Sequence, residues 1–186
     1  MTGESSRREL LRAAAVTAGG GSAALLAACG GGGGSKPPKI DAEADATVLN
    51  QALLAEYAAV AAYRAGRAHV SGRDRALLDK LLAQEQQHVA ALTRAIRDLG
   101  GRPLHPQPAD AVEVPARGVM PFAVDVEHTE TAGLADAIGK LTTPQLRGLV
   151  ASIFADDAQH LALVRRATGQ QPIPDALVEG NAPAES

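Results

Sequence analysis

Two short segments of this chain pair a carboxylate with a histidine three positions later: Glu85-Gln86-Gln87-His88 and Asp157-Ala158-Gln159-His160. Residues three apart share one face of a helix, so each pair can turn an oxygen and a nitrogen toward one point. Glu56 precedes Glu85, and Glu127 precedes Asp157, at nearly equal intervals. Glu130 is a rival to Glu127 on an overlapping face, but its interval to Asp157 is three residues shorter and matches the first half less well. Six such ligands drawn from four helices would make a site for two metal ions. Four carboxylates balance two divalent cations, and two neutral imidazoles add nitrogen without charge. Oxygen-rich ligation with imidazole suits iron or manganese better than a thiolate-seeking ion. The same donors also accept zinc.

These residues need helices to hold them. Ala and Leu are abundant and β-branched runs scarce, which favours helix. Apolar periodicity and end signals predict helices over about Ala44–Ala68, Arg73–Leu99, Pro121–Leu141 and Pro144–Gly169. Asp41 or Asp45 can cap the first, Ser71 and Asp74 mark the start of the second, and Gly100-Gly101 end it. Thr143-Pro144 supplies a capping residue followed by proline at the first helical position. Each helix inserts an acid into its apolar stripe: Leu53, Glu56, Val60; Leu82, Glu85, Val89; Val124, Glu127, Thr131; Ile153, Asp157, His160. Buried acids without partners cost several kcal/mol each, so the pattern calls for cations. Tyr63, two turns after Glu56, reads first as a core aromatic, with a hydrogen bond near the metals as the alternative. His128 should point away from Glu127, and His69 and His105 should be solvent-exposed.

Connection lengths set the topology. Short links join the first helix to the second and the third to the fourth, making two antiparallel hairpins. Gly101 to Met120 is proline-rich and helix-poor. Extended, it reaches roughly 65 Å, more than the length of about 37 Å of a 25-residue helix. It can therefore cross the whole bundle. The expected fold is all-α: an antiparallel four-helix bundle with one long crossover between the second and third helices. The halves also read as a repeat, with Gln87-His88-Val89-Ala90-Ala91-Leu92 against Gln159-His160-Leu161-Ala162-Leu163-Val164.

The formal net charge is −3. With no basic stripe or aromatic platform, nucleic acid is not an expected partner. Residues 1–28 have the organisation of an export signal: Arg7-Arg8, a weakly apolar Ala/Gly/Leu run and small residues before Cys29. The arginine pair resembles a twin-arginine signal. Leu26-Ala27-Ala28-Cys29 resembles a bacterial lipobox, which implies that Cys29 becomes the lipidated first residue of the mature chain. Cys29 is the only cysteine, so no disulfide forms within the chain. Residues 29–40 then form a Gly/Ser/Pro tether. One lipid chain anchors weakly, and the lipobox resemblance implies more than one. Membrane lipid is thus the expected partner, and the domain should be exported and face the periplasm or cell exterior. Residues 170–186 read as a C-terminal tail.

Residues 41–169 resemble a ferritin-like di-iron carboxylate protein, in particular the exported bacterial ferritin-like lipoproteins. In that superfamily two helices each give a Glu and two each give a Glu-x-x-His. The resemblance implies that Glu56 and Glu127 take the single roles, and that Glu85 with His88 and Asp157 with His160 take the paired ones. Asp157 departs from the pattern by one methylene, which bears on the second metal position. The implied chemistry is oxidase, ferroxidase or peroxide-related, with two ions of iron or manganese. The alternative is a bundle without metal, or holding it passively, that acts as an interaction module without catalysis. An N-terminal lipid would obstruct a closed cage, though not a smaller oligomer. The sequence identifies no protein partner.

Overall fold

A computed structural model describes residues 39–106, 113–115 and 117–173. The export signal, Cys29, the tether up to residue 38 and the tail beyond residue 173 lie outside the described residues. Four long helices carry the fold: α1 (Ala42–Gly66), α2 (Gly72–Asp98), α3 (Val119–Lys140) and α4 (Pro144–Ala167), with a 3₁₀ turn at Arg67–His69. No strand occurs among the described residues. None of the described helices is long and apolar enough to cross a membrane.

The helix ends follow local chemistry. Asp41 caps α1, its Oδ1 accepting from the Ala44 N–H at 3.0 Å. At the end of α2, Gly100 takes φ 77°. The N–H groups of Gly100 and Gly101 return to the carbonyls of Arg97 and Ile96, each at 2.9 Å. That paired return is a Schellman motif, and its left-handed residue favours glycine. Helix α3 begins at Val119, two residues before the expected Pro121. Pro121 therefore falls in the first turn, where no backbone N–H is needed. Asp45 does not cap α1. It is fully buried and accepts at the start of α4 instead, from the N–H groups of Thr142 at 2.6 Å and Thr143 at 3.0 Å.

Two apolar clusters fill the interior. One gathers Val60, Tyr63, Leu78, Leu82, Val124 and Val164 with their neighbours. The other gathers Leu49, Leu53, Leu92, Ile96, Leu134 and Val150. Chain order through these clusters gives the directions. α1 and α4 run from the second cluster to the first, whereas α2 and α3 both run from the first to the second. Consecutive helices α2 and α3 are therefore parallel, so the connector must traverse the bundle. Its described start lies along α1. Asn50 holds its start, donating to the Arg102 carbonyl at 3.1 Å and accepting from the Leu104 N–H at 2.8 Å. His105 then lies beside Tyr57, ring centroids 6.5 Å apart, and Val114 packs on the first cluster. The helices pack α1 on α2, α3 on α4 and α1 on α3, while α2 and α4 touch only lightly. Between the two apolar clusters every helix places its acidic residues.

Candidate metal centre

The structure brings all six sequence-selected ligands to the middle of the bundle, between the two apolar clusters. Glu85 and Asp157 have no exposed surface, nor does Glu127; Glu56 and His160 are 1% exposed and His88 9%. Helical periodicity explains this: each lies on the apolar stripe of its helix, and the stripe faces inward.

The donor atoms fall into two groups of mutually close atoms. Glu85, Glu127, Asp157 and His160 form one; Glu56, Glu85 and His88 form the other. Glu85 belongs to both. Its Oε1 lies 2.9 Å from His160 Nδ1, and its Oε2 lies 3.3 Å from His88 Nδ1. Asp157 reaches the centre despite its shorter side chain. Its Oδ1 is 3.3 Å from His88 Nδ1 and 3.6 Å from His160 Nδ1. The imidazole rings are stacked at a centroid distance of 6.0 Å.

Proximity here is not the same as hydrogen bonding. Glu56 Oε2, Glu85 Oε1, Glu127 Oε2, both Asp157 oxygens and both ring nitrogens of His160 have no hydrogen-bond partner. Buried polar atoms without partners are rare in folded proteins and need a reason. A set of close but unpartnered oxygen and nitrogen lone pairs fits cations held between them, and this donor set suits a hard or borderline divalent ion.

Without metal, protons must do the balancing. Burial alone would push the His88 imidazole down, yet Glu56, Glu85 and Asp157 carry it up to about 11. Burial opposes protonation of His160 too, and Glu127 and Glu85 carry it up to about 10. Burial would raise Glu85, but His160, His88 and Glu56 pull its carboxyl down to about 2. Asp157 is pushed up to about 8 by burial and then by the charges of Glu85 and Glu127. Glu56 stands well above its usual range, mainly through burial.

Glu130 is buried as well, 4% exposed, with neither carboxylate oxygen partnered. Burial and the charges of Glu56, Glu85, Glu127 and Asp157 hold its carboxyl well above the usual range. It falls in neither donor group, whereas Glu127 belongs to one. His69, His105 and His128 are exposed.

Two further side chains reach the centre. Tyr63 is more than a core aromatic: its hydroxyl donates to Glu127 Oε1. Burial and then the Glu127 charge raise its phenol well above the ordinary value. Asp156, beside Asp157 in the chain, sets one oxygen 3.3 Å from Nε2 of both His88 and His160. His160 Nε2 makes no hydrogen bond to it, but the negative charge there favours protons on Nε2 and leaves Nδ1 free to ligate. The only sequence signal for it is a spacing of four residues to His160, which shares a helix face.

The ferritin-like domain family model matches residues 44–170. Among solved structures, a ferritin-like, diiron-carboxylate protein of Bacillus anthracis is 24% identical and superposes with TM-score 0.55, covering 69% of this chain and 98% of that one. The DPS protein of Vibrio cholerae, described as a member of a broad superfamily of ferritin-like diiron-carboxylate proteins, is 14% identical with TM-score 0.60, covering 73% and 99%. A conserved hypothetical protein of Mycobacterium tuberculosis is 19% identical with TM-score 0.59, covering 73% and 97%. At these identities the likeness establishes the fold. No curated protein sequence matches significantly.

Proposed function

This chain belongs to the ferritin-like domain family, and on that footing we propose that Glu56, Glu85, His88, Glu127, Asp157 and His160 hold two divalent cations, iron or manganese. The observation that carries this reading is Glu85, whose two oxygens face the two imidazoles and join two donor groups into one centre. The description of the Bacillus anthracis and Vibrio cholerae proteins as diiron-carboxylate supports iron. Such ions, when bound, would supply oxidase, ferroxidase or peroxide-related chemistry. The chain's own residues prepare the place for it. The apolar clusters cover both ends, the Asp156 charge favours protons on the outer imidazole nitrogens, and Tyr63 orients Glu127.

The setting is extracytoplasmic. The chain leaves the cytoplasm on its arginine-pair signal and hangs from the membrane by acylated Cys29. Export of a folded domain by such a route would let metal load beforehand. A Cys29→Ala variant should move from the membrane fraction to the soluble one; unchanged membrane retention would argue against the tether.

Elemental analysis of the purified mature domain tests the centre. Iron or manganese near two per chain is expected, falling in His88→Ala and His160→Ala. Oxygen uptake on adding Fe(II) should fall with it in a Glu85→Ala, His88→Ala double variant. Protein recovered folded, free of both metals and indifferent to chelator would instead support the interaction module without catalysis.

A further inference from the structure

The end of the bundle where α1 and α4 finish carries a separate feature, away from the metal centre. An open groove of about 790 Å³ lies there, between the turn after α1, the end of the connector and the start of α3. That is the size of a pocket for a drug-sized ligand. Val119 and Met120 are buried in it, and Ala65, Val70, Val114 and Pro121 are half-buried. Its described lining holds one acid, Glu113, and one imidazole, His69. With no set of converging polar groups, the groove suits an apolar segment better than a polar substrate.

The same end is basic. Arg64 lies in the last turn of α1, Arg73 in the first turn of α2, and Arg165 and Arg166 in the last turn of α4. Arg67 and Arg117 have acidic partners, Asp79 and Asp125. Arg64, Arg73, Arg165 and Arg166 make no salt bridge among the described residues. A cation at a helix C-terminus suits the helix dipole, but Arg73 stands at an N-terminus, where positive charge is unfavourable. An acidic neighbour would compensate it, and the chain itself supplies one. It leaves α4 at this end through a Schellman motif, in which Gly169 takes φ 75° and the Gln170 N–H returns to the Arg165 carbonyl at 2.9 Å. Ile173 is then 80% exposed. Pro174-Asp175-Ala176-Leu177-Val178-Glu179 follows, and residues 174–186 contain acids but no Lys, Arg or His. Neighbouring helices are spaced by about 10 Å. Residues 170–177 reach roughly 26 Å when extended, enough to bring Leu177 from the end of α4 past α3 to the groove.

We propose that the C-terminal tail of the same chain occupies this groove, with Leu177 and Val178 docked against Val70, Val114 and Met120, and with Asp175 and Glu179 among the arginines of that end. The match is double. An apolar pair meets an apolar groove, and the acids that flank the pair meet a basic surround. Exposed ion pairs are individually weak, so the apolar contact supplies most of the attraction and the charges fix its placement. A segment tied to the groove by a short stretch of chain also acts at a high effective concentration, which favours it over a second copy or another protein. This inference is independent of the metal centre.

The chain has no tryptophan, so Leu177→Trp places a single fluorophore in the tail of the mature chain, made soluble by Cys29→Ala. The reference is a free peptide of residues 174–186 with the same substitution. Docking predicts emission to the blue of that peptide and severalfold weaker quenching by acrylamide, at every protein concentration. Val70→Asp and Val114→Asp, each shown to be folded by thermal melts, should return emission and quenching to the peptide's values; two positions keep the test open if one variant misfolds. Arg64→Glu combined with Arg73→Glu should weaken the shielding, as should added salt. Peptide-like emission in the Leu177→Trp chain would overturn the docking. Shielding that survives the groove substitutions would overturn it too, because the tail would then lie elsewhere, as would shielding that ignores the arginine reversal. Shielding that appears only as concentration rises would place the tail on a second copy and overturn docking within one chain.

Discussion

Because Glu85 serves both donor groups, removing it should cost the metal-loaded protein about twice what removing either histidine costs. A ligand that binds only the folded state at one hundred times its dissociation constant stabilises that state by about 2.7 kcal/mol. Two occupied positions then add ~5 kcal/mol. For a bundle of this size each kcal/mol moves Tm by about 4 °C, so saturating Mn²⁺ should raise the wild-type Tm by about 20 °C over chelator-treated protein. His88→Ala spoils the group of three donors and spares the group of four; His160→Ala does the reverse. Each should keep roughly half of the shift. Glu85→Ala takes an oxygen from both groups and should keep almost none. Every shift is measured against the same variant without metal, so the cavity left by truncation cancels. Differential scanning calorimetry with a Mn²⁺ titration reads the result, and the first equivalent should fill the four-donor group. A Glu85→Ala variant retaining half the shift, or single histidine variants that lose all of it, would refute a shared bridging carboxylate.

Asp156→Asn removes the anion beside both Nε2 atoms and should lower metal affinity by about ten- to one-hundred-fold, with the same stoichiometry at saturation; competition with a chromophoric chelator measures it. The metal-free bundle should be more stable at mildly acidic pH than at alkaline pH. His88 and His160, raised to about 11 and about 10, contribute stability that is full below their unfolded values and is lost as pH climbs. Asp157, raised to about 8, also favours the fold less as pH rises. Glu85, lowered to about 2, contributes above its unfolded value and fades toward acid. Thermal melts in chelator across pH 4–9 would show this, and an alkaline optimum would contradict it. Asp45→Ala breaks three bonds to the start of α4, from the Thr142 and Thr143 N–H groups and the Thr142 hydroxyl. It should cost about 3 kcal/mol in urea unfolding. Burial works against the Asp45 charge, but those bonds hold its carboxyl below the usual value. Its contribution is therefore present at neutral pH and lost as acid protonates it.

The bundle was legible because each helix repeats its apolar residues at helical spacing and most end on recognisable residues, as Gly100 does after α2. The ligands were legible because a carboxylate that interrupts an apolar stripe has no reason to be there unless something compensates it. Other features leave no such mark. The path of the connector depends on Asn50 meeting Arg102 and Leu104, far apart in sequence and without a pattern. Asp41 and Asp45 are both candidate caps for α1 by sequence, and nothing there shows that the N–H groups at the start of α4 claim Asp45. Glu127 and Glu130 share so much of one face that periodicity buries both, and only the placement of neighbouring helices separates a donor-group member from a resident of the side cavity, a space of about 170 Å³ between α1 and α3 that also reaches Glu56.

The repeat within the chain explains the frame and also where it is broken. Gln84 precedes Glu85 as Asp156 precedes Asp157, and these counterparts meet through a hydrogen bond. His88 and His160 are counterparts too, and their rings stack. Contact between equivalent positions is what an approximate twofold axis between α2 and α4 requires. Away from that axis the halves differ. The counterpart of Tyr63 is Leu134 and that of Glu130 is Ala59, both apolar and buried. Thus Glu127 receives a hydroxyl from Tyr63, across the halves, while Glu56 has no such tie and faces the side cavity. A symmetric ligand set is held in an asymmetric surround, so the position with four donors and the anchored Glu127 should bind more tightly than the one beside that cavity.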